Sequence, residues 1–269
     1  MSYNAWSVVF REQPSTTKWN LLGSNDAYFD TALKDGWNEA GETWTYNSAD
    51  DPTYSFLVSG DKTTKYYPGM RIKLTNGGTV KYFIVTLVQY SAPNTVVTIY
   101  GGTDYDLANS AITLPYFSTA KAPAGFPLDP LKWTQTTVDT GTRSQASPSA
   151  STWYNVGSLS LVVPIGSWRL SYSAYSFLGK AGAAVNLGTT LSTTTNSDTD
   201  SHFKVWSVGN GNASIGGQVA ATHGRDKNVI LTSKTTYYLL AETTVSSADT
   251  IYFDGAITPT IIKAVCAYL

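Results

Sequence analysis

Asp198, Asp200 and His202 occupy alternate positions of one polar segment, and nowhere else do two carboxylates and an imidazole stand so close in sequence. Alternate side chains of an extended backbone face the same way, so this trio has the spacing to meet one cation. It lacks the further carboxylates and the glycine of a calcium loop, and it mixes hard and borderline ligands. The expectation is therefore a solvated loop and no bound metal. The other histidine, His223, is not accompanied by a Gly-x-Ser-x-Gly elbow, a His-Glu-x-x-His helix or a Cys-x-x-Cys pair. The glycine-rich run at 209–218 lies between strand-like segments and reads as a flexible loop, not a phosphate cradle. A glycosidase needs two carboxylates roughly 5 to 10 Å apart. Glu42, Asp50, Asp51, Asp198, Asp200 and Glu242 are scattered over three regions, so a depolymerase with its cleft between subunits has no support from sequence. Asp50-Asp51-Pro52 is a turn signature. No catalytic residue, no cofactor and no enzymatic activity are expected.

Recognition is better provided for. Charged residues make up 14% of the chain and aromatics 13%, so solvated faces must be built from Ser, Thr, Asn, Gly and Tyr, which hydrogen-bond well and titrate poorly. Trp153, Tyr154 and Trp206 lie near strand ends or in strands, where an exposed ring can stack on the C–H face of a sugar. Together with the loop around Asp198 they form the expected glycan contact. The net charge is −1, with nine basic against twelve acidic residues up to position 130 and nine against seven beyond it. Neither half has the basic excess that a phosphate backbone demands, so no nucleic-acid partner is expected.

The elements that must position these residues are strands. From Trp133 onward, SLSLVVP, SWRLSYSAYSF, HFKVWSVG, the long run through TYYLLAETT, TIYFDG and IIKAVCAYL follow one another, separated by Gly, Asn, Ser and Asp clusters. This predicts an all-β, jelly-roll-like β-sandwich over 133–269. In SWRLSYSAYSF, Trp168, Leu170, Tyr172 and Ala174 share one face, and Ser167, Arg169, Ser171, Ser173 and Tyr175 the other, hydroxyl-rich face. Residues 41–122 predict a small β-module, barrel-like in strand count, with Asn76-Gly77-Gly78 as a hairpin turn. Pro123, Pro127 and Pro130 predict a stiff connector over 123–132. The only cysteine, Cys266, sits in an apolar run and reads as a buried strand residue.

Residues 1–40 differ from the rest. Pro14 suits a first helical position, and Trp19, Leu22, Phe29 and Leu33 follow at helical spacings. Gly23 leaves three outcomes open: a short helix, one broken at the glycine, or one formed only against a partner. With Trp6 and Phe10 nearby, this stretch predicts a docking arm. No leader peptide and no membrane-length apolar run are evident, so a soluble chain made in a cytoplasm is expected, with no membrane insertion.

The run AWSVVFREQPSTTKWNLLGSNDAYFD resembles the opening of structural proteins of tailed bacteriophages and prophages, with the Trp-Asn-x-Leu-Gly-x-Asn-Asp-Ala-x-Phe core standing here at Trp19, Asn20, Leu22, Gly23, Asn25, Asp26, Ala27 and Phe29. The segment from TYSFLVSGDKTTKYYPGMRIKLT to FSTAKAPAGFPLDPLKW looks like the β-module that commonly follows it, and the second half is similar only in general character to trimeric fibre tips. The resemblance implies a virion appendage or fibre protein, synthesised in the bacterial host cytoplasm. It would attach to other virion proteins through Trp6, Phe10, Trp19, Leu22 and Phe29 and bind a host-surface glycan non-catalytically through its C-terminal sandwich. A homotrimer is expected from the usual fibre symmetry and from the need to protect sheet edges. The alternative is a purely structural virion role, as capsid decoration or as a neck or baseplate connector.

Overall fold

A computed structural model describes residues 15–180, 185–209, 217–245 and 249–269. Trp6 and Phe10 lie outside the described residues. The chain divides into two compact units, Met1–Trp133 with Tyr268–Leu269, and Thr134–Ala267.

The first unit opens with helix α1 (Thr16–Asp35). Ser15 caps it, its hydroxyl accepting from the Lys18 amide at 3.3 Å, so the cap residue rather than a proline marks the start. The helix runs unbroken through Gly23, whose conformational cost of about 1 kcal/mol one residue can absorb in a helix of this length. Seven strands follow: β1 (Asn38–Glu39), β2 (Trp44–Asp50), β3 (Thr53–Ser59), β4 (Arg71–Asn76), β5 (Thr79–Ser91), β6 (Asn94–Tyr100) and β7 (Ile112–Ser118). They form one antiparallel sheet in the order β1-β7-β4-β5-β6-β3-β2. The expected hairpin is present, with Gly77 and Gly78 both at positive φ between β4 and β5. The barrel-like expectation is corrected. Among the described residues the two-residue β1 pairs only with β7 and β2 only with β3, so no ladder closes the sheet. Its core holds Trp44 stacked on Phe56 at 4.4 Å, with Tyr66, Ile72, Phe83 and Ile99 around them.

The proline-rich segment, expected as a stiff connector over 123–132, is folded into this unit. Trp37 Nε1 donates to the Ala124 carbonyl at 2.8 Å, and Phe126 stacks on Trp133 at 5.1 Å with the rings 4° from parallel. Aromatic neighbours give these prolines a surface to pack on, and the segment lies down instead of projecting. Arg71, fully buried, donates to the carbonyls of Gly69, Lys121 and Tyr268 and lies 4.9 Å from the Phe126 ring.

The second unit is a β-sandwich, as the alternating strands predict. In chain order its strands are β8 (Thr134–Asp139), β9 (Thr142–Ala146), β10 (Ser160–Val163), β11 (Gly166–Lys180), β12 (Val185–Ser192), β13 (Val205–Gly209), β14 (Gly217–Leu231), β15 (Thr235–Glu242), β16 (Thr250–Asp254) and β17 (Thr260–Cys266). One sheet runs β10-β15-β12-β13. The other runs β8-β17-β11-β16-β9, with β14 on the far side of β11 along its whole length. Trp168, Leu170, Tyr172, Ala174 and Leu178 of β11 are buried, and Leu187, Leu191, Leu239, Ile262 and Cys266 join them in the core. The Tyr172 hydroxyl donates to the Phe203 carbonyl at 2.8 Å, and burial pushes its pKa up to about 12.

Candidate functional site: a paired-indole corner on the smaller sheet

On β12, Thr189 bonds the Tyr172 hydroxyl and, with Leu187 and Leu191, faces the core; Gly188, Thr190 and Ser192 take the other face, where they too are buried, Gly188 beneath Trp206 and Thr190 and Ser192 beneath the loop at 193–199. Gly188 pairs with Trp206 on one side and Glu242 on the other, which sets these three in one cross-strand row on the outer face. The glycine is the seat of the indole. A Cβ built there would lie 2.9 Å from Cη2 of Trp206 and 3.0 Å from its Cζ2 and Cζ3.

Trp153 reaches the same corner from a loop. The neighbouring Tyr154 forms a two-bond bridge with Ala241, its amide and carbonyl each 2.9 Å from their partners, which fixes Trp153 beside Glu242. The two indoles meet with centroids 6.2 Å apart and planes inclined at 57°, and Trp206 is 39% exposed. Lys204 completes the group: its ammonium lies 5.7 Å from the Trp153 ring and 2.6 Å from Asp198 Oδ2. Thr190 donates to the other oxygen of Asp198 at 3.3 Å, which ties the loop down onto the outer face of β12.

Glu242 is 8% exposed, and its carboxylate makes no hydrogen bond or ion pair with the described residues. Burial pushes its carboxyl pKa up and the Asp198 charge adds to this, while Lys204 pulls it down. A buried carboxylate with spare acceptor capacity beside two indoles is a group that a ligand hydroxyl can satisfy.

Of the residues expected to touch a glycan, the structure brings together Trp153, Trp206 and Asp198. Tyr154 stands apart, its phenol oxygen accepting from the Ser149 amide at 3.0 Å, a bond that lowers its pKa. The Asp198–Asp200–His202 trio does not converge. Asp198 goes to Lys204, whereas Asp200 takes Lys227 at 2.6 Å and caps the short 3-10 turn at 201–203 through the His202 amide. Burial raises the Asp200 pKa, but the bonds from Lys227 and His202 outweigh it and hold the carboxyl below its usual range. No group of three metal-ligating side chains occurs among the described residues. Sequence reasoning missed Lys204 and Gly188. The signal available was a lone glycine amid the alternating residues of VNLGTTLS.

The other histidine is structural in its surroundings. His223 is buried and bridges the two sheets, Nδ1 to Ser176 Oγ at 3.2 Å and Nε2 to Ser207 Oγ at 2.6 Å, and desolvation lowers its pKa. On α1, Trp19 and Phe29 are 58% and 48% exposed and Leu22 is half-buried.

No protein-family model and no curated protein matches the chain. Among solved structures it is similar to dimeric latent PorU from Porphyromonas gingivalis, at 10% identity and TM-score 0.30 over 84% of this chain and 24% of that one. It is also similar to the infectious bursal disease virus VP2 subviral particle, at 12% identity and TM-score 0.23 over 83% and 62%. A third likeness is to the tandem CBM22-1–CBM22-2 domain of Paenibacillus barcinonensis Xyn10C, at 12% identity and TM-score 0.17 over 86% and 93%. The chain thus spans about a quarter of PorU and under two thirds of the viral protein. At these TM-scores the likenesses carry no argument about function.

Proposed function

We propose that this chain is a virion appendage protein of a tailed phage that binds a host-surface glycan, without chemistry, at the paired-indole corner of its second unit. The observation that carries the glycan reading is the Trp153–Trp206 pair, partly exposed and set over Gly188, with Lys204, Asp198 and Glu242 around it. Two inclined indoles offer an angled wall to a sugar ring, and the flanking charges hydrogen-bond its hydroxyls. The non-catalytic reading is supported by Asp198 and Asp200 each being held by a lysine. Weak single sites gain avidity in a closed homotrimer, the assembly proposed for this chain. Attachment to the particle falls to residues 1–40, where Trp19 and Phe29 present apolar surface.

Binding of full-length protein to purified host-surface polysaccharide tests this. Trp206→Ala and Trp153→Ala are each expected to weaken binding up to about tenfold, the scale of one aromatic stacking contact. Equal binding by wild type and both variants, or no binding by the intact oligomer, refutes the site. Release of reducing ends that disappears in Glu242→Gln would replace the reading with a depolymerase.

A second reading, a purely structural virion role, is favoured by Val208 and Ile230, which are 71% and 80% exposed on β13 and β14. Protection of both positions from solvent labelling in assembled particles, with no glycan binding, would support it.

A further inference from the structure

The opposite face of the sandwich carries a second groove. On β11, Arg169, Ser171, Ser173, Tyr175 and Phe177 alternate with the core residues and face outward. The strand pairings add Lys263 opposite Ser171 from β17, Tyr252 opposite Phe177 from β16, and Gly224 opposite Ser173 from β14. Gly224 leaves the floor bare, because a Cβ there would lie 2.8 Å from the Tyr172 carbonyl oxygen.

Two hollows of about 390 Å³ each lie along this strand. The first is lined by Arg169, Ser171, Arg225, Asp226 and Lys263. Arg169 is paired with Asp226 at 2.9 Å, while the Lys263 ammonium has no ion-pair partner among the described residues; Arg225, directly opposite the inward-facing Tyr172, belongs to the other side of the sheet. This hollow therefore holds one uncompensated positive charge, on Lys263. The second is lined by Tyr175, Phe177, Tyr252, Thr142, Asp254 and Ile257. Phe177 and Tyr252 lie 5.8 Å apart, inclined at 35°, and Asp254 accepts from the Thr142 hydroxyl at 2.8 Å. Ser171 to Phe177 is six residues of strand, about 20 Å.

We infer that this face is a binding groove for an acidic polysaccharide, with a uronate carboxylate on Lys263 and a neutral ring of the same strand against Tyr175, Phe177 and Tyr252. Charge complementarity selects an anion at one end. Aromatic planes beside an acceptor, Asp254, select a hydroxylated ring at the other. The groove lies on the other sheet from the Trp153–Trp206 corner and does not depend on it.

The test is equilibrium binding of the full-length chain to three probes: a soluble polyuronate, the same polymer with its carboxyls reduced to alcohols, and dextran sulfate. The expected result is salt-sensitive binding of the polyuronate, weakened about tenfold or more by carboxyl reduction and by Lys263→Gln, as losing one charge-assisted bond implies. Tyr252→Ala should weaken it as well, and Trp206→Ala should leave it unchanged. Melting curves of Lys263→Gln, a surface change, confirm that the fold is intact even if Tyr252→Ala misfolds. Absent polyuronate binding, equal affinity for the reduced polymer, or dextran sulfate binding that matches the polyuronate and survives Tyr252→Ala would each overturn the inference. So would a fall in oligomer mass on Lys263→Gln, which would mark the face as an interface between copies.

Discussion

Replacing Gly188 by alanine separates the paired-indole corner from the fold that carries it. The added methyl would stand 2.9 Å from the Trp206 ring, and ordinary contact begins at 3.4 Å, so the indole must move by about 0.5 Å or more. Gly188 has no positive φ, and the strand backbone accepts alanine there. Alanine over glycine in a strand is worth roughly 0.5–1 kcal/mol. An indole pushed off its rotamer costs about 0.5–1.5 kcal/mol. The two nearly offset, and the unfolding free energy should stay within about 1 kcal/mol of wild type. The geometry of the pair, by contrast, must change. Two indoles at 6.2 Å and 57° couple as an exciton, so the circular dichroism couplet of wild type, absent in Trp153→Ala and Trp206→Ala, should shrink or change shape in Gly188→Ala. Glycan binding should fall with it. An unchanged couplet with unchanged binding, or a stability loss above about 2 kcal/mol, would refute the role given to Gly188 as the seat of the indole.

Glu242→Gln should stabilise the protein at pH 7. A carboxyl whose folded pKa is raised contributes stability that is present below its ordinary value of 4.5 and lost as pH rises through the folded value, so the gain should vanish near pH 4 in paired denaturation curves. His223 acts with the opposite sign. Its depressed pKa gives stability that is present above 6.5 and lost as pH falls through the folded value, and His223→Asn should remove that acid-side slope. In the first unit, Arg71→Leu strands three carbonyls and should cost roughly 2–4 kcal/mol by urea denaturation. Removing Tyr268 and Leu269 should cost only part of that, since one of the three carbonyls leaves with them.

The sandwich was legible because period two is written directly in its strands: SWRLSYSAYSF divides into core and outer faces just as β11 does. The corner was legible only in pieces. Trp153, Trp206 and Asp198 could be chosen for their types, but Trp206, Gly188 and Glu242 form a row only through the registers of three strands, which no local pattern encodes. The Asp198–His202 alternation misled because remote lysines claim the carboxylates and the backbone turns at Ser201 instead of staying extended. Prolines 123, 127 and 130 ruled out a regular strand, yet the neighbouring aromatics Trp37, Phe126 and Trp133 decided where that segment lies.

The grip of Arg71 on the Tyr268 carbonyl makes the first unit discontinuous in sequence, with the whole second unit encoded between Trp133 and Tyr268. Synthesis runs from the N-terminus, so β1 to β7 emerge from the ribosome long before the last partner of that buried guanidinium. The nascent sheet must wait with the Arg71 fork one carbonyl short while some 134 further residues are made. The second unit is contiguous, but its last strand, β17, ends at Cys266, two residues before Tyr268, so both units receive their closing residues almost together. The unit begun first is thus completed no earlier than the one begun second.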